Sequence, residues 1–79
     1  MPPCDLTGHA VRQMARRGVN RQDIESALAH ETRRAAGEPG TIWIWGVSSS
    51  AGRVLKVCVS AYDQNRVITV AWPDSDGEA

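Results

Sequence analysis

The chain has 79 residues, with nine Lys plus Arg balanced by nine Asp plus Glu. That length allows one domain with a thin core and excludes a multidomain assembly. Nor does any apolar run approach the ~20 residues needed to cross a bilayer. The zero net charge conceals an asymmetry, because Asp74, Asp76 and Glu78 all lie in the closing DSDGEA. Without them six acids face nine basic side chains, so the rest carries about +3. This bias permits a phosphate-bearing partner without requiring one. We therefore expect a single α+β domain over residues 1–73 and a disordered acidic tail over 74–79.

Pro2 and Pro3 make the first five residues a non-helical lead. Thr7 to His30 then reads as two short amphipathic helices folded back at a glycine. The Thr7 hydroxyl suits an N-cap, and Ala10, Val11 and Met14 recur at the spacing of one helical face. Gly18 stands where a helix ends at positive φ, which glycine adopts without steric penalty. Asn20 caps a second helix, with Asp23 three residues on as the acid of a capping box. Ile24, Ala27 and Leu28 form its apolar stripe.

Gly37, Pro39 and Gly40 break the chain, leaving Arg33 and Arg34 as a solvated helix end. Thr41 to Trp45 is expected to be the first strand, Gly46 to Gly52 a long hairpin connection, and Arg53 to Tyr62 the second strand. After the tight turn Asp63–Gln64–Asn65 comes the third, Arg66 to Trp72, stopped by Pro73. Such short connections predict a three-stranded antiparallel meander with both helices on one face, α-α-β-β-β. Lys56 marks the side facing water. Ile42, Ile44, Leu55, Val57, Val59, Ile68, Val70 and Trp72 should then meet the helices. Trp43, Trp45, Lys56, Ser60 and Thr69 fall on the open side, with Arg53 and Arg66 at strand beginnings.

Cys4, His9, His30 and Cys58 are zinc's preferred ligand types, but none of the close metal-binding spacings is present. We expect reduced thiols, no metal and no cofactor. With neither a signal peptide nor a membrane segment in view, we expect a cytoplasmic protein.

The string His9-Ala10-x-x-x-Met14-x-x-Arg17-Gly18-Val19, followed by Ile24-x-x-Ala27-Leu28 and Val67-Ile68-Thr69-Val70, carries a resemblance. It resembles the bacterial domain-of-unknown-function family 4258, a compact relative of the RelE/ParE/BrnT toxin superfamily. The match runs roughly from His9 to Trp72. It implies a RelE-like fold, two helices against an antiparallel sheet. Toxins of that superfamily are often endoribonucleases, ribosome-dependent or free, and others poison gyrase. Where the family places an arginine before the methionine, this chain has Gln13, with Arg12 one position earlier.

Metal-free RNA cleavage needs a base for the 2′-hydroxyl proton, cations on the phosphate and an acid for the leaving 5′-oxygen. His9, at a helix start, suits base or acid, since imidazole titrates near neutrality; the alternative is a structural bond to a backbone carbonyl. His30 offsets the dipole at the end of the second helix. Arg17 and Lys56 are candidate phosphate grips, and Arg17 has helix capping as its other reading. Tyr62 is a candidate acid or a packing residue. Arg12, Trp43, Trp45, Arg53 and Arg66 are candidate binding residues, because aromatics among cations stack unpaired bases while the charges hold phosphates. The sequence thus points to a toxin-type protein that binds RNA or the ribosome and acts as a metal-independent endoribonuclease. The rival is a non-catalytic module whose Trp43/Trp45 face pairs with a second copy or an antitoxin-like protein.

Overall fold

Local signals set the helical hairpin. In the computed structural model, which describes residues 5–49 and 52–73, α1 spans Gly8–Arg17 and α2 spans Arg21–Ala29. Thr7 caps α1 by accepting from the Ala10 N–H at 3.0 Å, and its own hydroxyl donates to the Ile68 carbonyl at 3.1 Å. One threonine therefore starts the helix and ties it to a strand 61 residues away in sequence. Gly18 closes α1 at φ 68°. The capping box of α2 is complete, with Asp23 N–H donating to Asn20 Oδ1 at 2.8 Å and Asn20 N–H donating to Asp23 Oδ2 at 3.1 Å. Asp23 is fully buried, and its other oxygen accepts from the Ser49 hydroxyl at 2.9 Å.

The sheet corrects the expectation of a three-stranded antiparallel meander: among the described residues it has five strands and is mixed. β1 (Asp5–Leu6), β2 (Glu31–Ala36), β3 (Thr41–Val47), β4 (Val54–Ser60) and β5 (Arg66–Ala71) lie in the order β1-β5-β4-β3-β2. β1 runs parallel to β5, and the other pairs are antiparallel. The overlooked strand is β2. Its residues ETRRAA are nearly all exposed, as suits an edge strand whose charges discourage pairing with other chains. Arg33 and Arg34 consequently belong to a strand and not to a helix end. Arg34 pairs instead with Glu31, donating from Nη2 to Oε1 at 2.7 Å. The strand β3 also continues through Gly46 into Val47, residues expected in the loop.

Helices α1 and α2 cover one side of this sheet. Ala10, Val19, Ile24 and Ala27 from the helical hairpin enclose Ile44, Leu55, Val57, Val59, Val67, Val70 and Trp72, with Ile42 and Met14 at the margin. Burying each larger aliphatic side chain contributes about 1.5–3 kcal/mol. The closest approach is at Gly46, where a Cβ would stand 1.9 Å from the Ala27 carbonyl oxygen. Only a glycine lets α2 lie that close to β3. One face assignment is corrected. Cys58 pairs with Thr69 while the next β4 residue, Val59, pairs with Val67, so Ile68 is an extra residue in β5. That bulge breaks the alternation. Val67 takes the place expected for Ile68 in the core, and Ile68 turns to the open side.

Candidate functional site

On the open side the register brings together residues from three strands. Arg33 of β2 stands opposite Trp45 of β3, which stands opposite Lys56 of β4. The Arg33 guanidinium lies 4.6 Å from the Trp45 ring centroid, and Lys56 Nζ lies 4.4 Å from the Trp43 centroid and 5.7 Å from that of Trp45. Cation and ring thus alternate across the sheet, each cation held against a π-face. Trp43, Trp45 and Lys56 are all partly exposed, as the pleat of β3 and β4 predicts.

Trp43 also lines a pocket of about 450 Å³, together with His9, Glu38, Thr41, Cys58, Ile68 and Thr69. Its volume falls within the ~300–1,000 Å³ of small-molecule clefts. Each lining residue has a local cause. His9 comes from the first turn of α1, which the Thr7 bonds anchor beside β5. Ile68 is delivered by the bulge, and Thr69 and Cys58 face each other across β5 and β4. Glu38 sits in the β2–β3 turn, fixed by the Thr41 N–H and the Thr41 hydroxyl, both donating to its carbonyl at 2.9 and 2.7 Å. The preceding Gly37 lies so close to Trp43 that a Cβ there would meet its indole nitrogen at 3.2 Å. Turn and ring are therefore in contact.

Cys58 forms the floor of this pocket. Burial pushes its thiol pKa above the ordinary value, with the Thr41 hydroxyl opposing the shift through a hydrogen bond. The thiol stays protonated and is a poor nucleophile. Among the described residues no group of three or more His, Cys, Asp or Glu is placed to hold a metal ion; Cys4 lies outside those residues. His30 caps α2, its ring Nδ1 3.0 Å from the Ser26 carbonyl oxygen. Among the described residues no helix is long and apolar enough to cross a membrane.

The other candidates are scattered. Arg12 is exposed on α1, one turn on from His9 and on the same side of the helix. Arg17 lies eight residues from His9, about 12 Å along the axis, and its Nε donates to Gln13 Oε1 at 3.1 Å. Gln13 thus engages Arg17 one turn along the helix. Arg53 does not face the open side. Its guanidinium lies 4.3 Å from the centroid of Trp72, a ring of the helix-covered core. Arg66 approaches Asp5 at 3.7 Å beside the short β1. Tyr62 is 90% exposed in the turn after β4, beside Gly40, so it neither packs nor lines the pocket.

Sequence reasoning missed Arg33, Glu38 and the pocket-lining role of Cys58 and Ile68. The signal for Arg33 and Glu38 was a second reading of ETRRAAGEPG as strand and turn, because a strand there places Arg33 in register with Trp45. Nothing in the sequence announces the bulge.

No curated protein and no solved structure matches the chain. A family model, described as Domain of unknown function (DUF4258), matches residues 6–72. With all but its ends covered, the chain belongs to that uncharacterised family.

Proposed function

We propose that this domain is a compact RelE-like protein that binds single-stranded RNA across the open face of its sheet and cuts the bound strand without metal. The observation that supports this most is the alternation of Arg33, Trp45, Lys56 and Trp43 next to a pocket containing His9. Indole faces stack on unpaired bases of any identity, and the neighbouring cations meet the phosphates.

In this reading His9 takes the proton of a 2′-hydroxyl. The 2′-oxygen attacks the adjacent phosphorus, the 5′-oxygen leaves and takes a proton from water, and a 2′,3′-cyclic phosphate results. Lys56 and Arg12 offset the charge that grows on the phosphate oxygens. Arg17 and Tyr62 stand away from the pocket and are given no part.

The test is incubation of wild type and His9→Ala with a mixed RNA pool in EDTA. Wild type should leave 2′,3′-cyclic ends, and the variant should be about 100-fold slower or worse. Equal rates remove His9 from the chemistry. No cutting by either protein removes the nuclease half and leaves binding. Affinity for RNA should fall steeply as salt rises, in proportion to the phosphates neutralised. Self-association through Trp43 and Trp45 that ignores salt, with no RNA bound, would favour the protein–protein module instead.

A further inference from the structure

Resting on the RNA-binding reading, we infer that the pocket beside Trp43 is a nucleobase subsite selective for guanine, with Glu38 as the group that reads the base. The pocket offers a ring wall in Trp43, two hydroxyls in Thr41 and Thr69, and one carboxylate in Glu38. Among the described residues the Glu38 carboxylate has no hydrogen-bond or ion-pair partner. The turn holds it by its backbone alone, through the two bonds from Thr41. It is therefore an acceptor placed beside an aromatic ring with its bonding capacity unspent.

An ionised carboxylate only accepts, through two oxygens about as far apart as two neighbouring N–H groups. The Watson–Crick edges of the four bases differ in what they offer it. Guanine presents N1–H and the N2 amino group side by side, a matched pair of donors. Adenine and cytosine each place a ring-nitrogen acceptor next to the amino donor, which repels one carboxylate oxygen. Uracil offers a single N3–H between two carbonyls. A base stacked against Trp43 with its edge toward Glu38 is thus accepted with two charge-assisted hydrogen bonds only when it is guanine. The lysine of the adjacent stack, Lys56, lies 4.4 Å from the same ring, where it meets the phosphate attached to the stacked nucleotide. Glu38 is exposed at the rim, so substituting it leaves the core untouched.

Fluorescein-labelled RNA hexamers read this directly by anisotropy at low salt: oligo-U, and oligo-U with one central G, A or C. The G-containing hexamer should bind wild type about five- to 150-fold more tightly than the others, the span expected of one good bidentate base contact. Glu38→Gln should lose that advantage, binding the G-containing hexamer no more tightly than oligo-U, and Glu38→Asp should keep part of it. Equal binding of all four hexamers, or a guanine preference that survives Glu38→Gln, overturns the subsite and leaves the RNA-binding reading standing. Failure of every hexamer to bind overturns both. Circular dichroism of each variant reports whether it is folded.

Discussion

The two faces of the sheet use tryptophan in opposite ways. Trp72, on the helix-covered face, is 6% exposed and donates its indole N–H to the Arg17 carbonyl at 2.7 Å. That bond joins the last strand to the end of α1, and the ring fills the core between them. Trp43 and Trp45, on the other face, are partly exposed and lie under Lys56 and Arg33. A buried indole must have its N–H satisfied, so its position is set by one carbonyl. A ring on the open face is instead partly exposed and lies against cationic side chains and, for Trp43, against the β2–β3 turn. One face therefore supplies stability, and the other is the surface we propose for a ligand.

Substitutions on the covered face should be the most damaging. Gly46→Ala puts a Cβ against the backbone of Ala27, which no rotamer can relieve, so α2 must lift from β3. We expect a loss of about 3 kcal/mol, at the upper end of overpacking effects, measured by urea denaturation. Retention of wild-type stability would mean that α2 is not seated on β3 as described. Next in size is a matched pair, Trp72→Phe and Trp45→Phe. The first leaves the Arg17 carbonyl without its donor and should cost about 2 kcal/mol. The second, on the open face, should cost about 0.5 kcal/mol or less. Equal losses would erase the distinction between the faces.

The smallest expected effect is a pH dependence at the edge. The Arg34 guanidinium holds the Glu31 carboxyl below its ordinary value of 4.5. A carboxyl depressed on folding stabilises above its unfolded pKa, and that contribution is lost as pH falls through the folded pKa. Both groups are exposed, so the gain over Glu31→Gln at pH 7 should be small. It should disappear as pH drops from about 5 to below the Glu range. A difference between the two proteins that persists at pH 2 would show that Glu31 acts through something other than its charge.

The helical hairpin was legible because its determinants are local: Thr7, Gly18, Asn20 and Asp23 act within a turn of themselves. The separation of Ile42 and Ile44 from Trp43 and Trp45 was legible for the same reason, since strand alternation needs no distant partner. Strand β2 was not, because ETRRAA has neither β-branched enrichment nor an apolar alternation. It is a strand because β3 offers it a partner, which is a property of the assembled sheet. Ile68 was misplaced because a bulge shifts the alternation by one residue without marking the sequence. Arg53 went astray similarly: its position follows from Trp72, nineteen residues on, and not from its neighbours. Glu38 was passed over as a turn residue because its place in the pocket depends on the turn being folded against Trp43.

The claim that the open face meets the ligand is tested most directly by the three indole N–H signals in a ¹⁵N NMR titration with single-stranded RNA. Trp43 and Trp45 should shift progressively with added RNA while Trp72, bonded to the Arg17 carbonyl, stays in place. Movement of Trp72 with Trp43 and Trp45 unmoved would contradict the account.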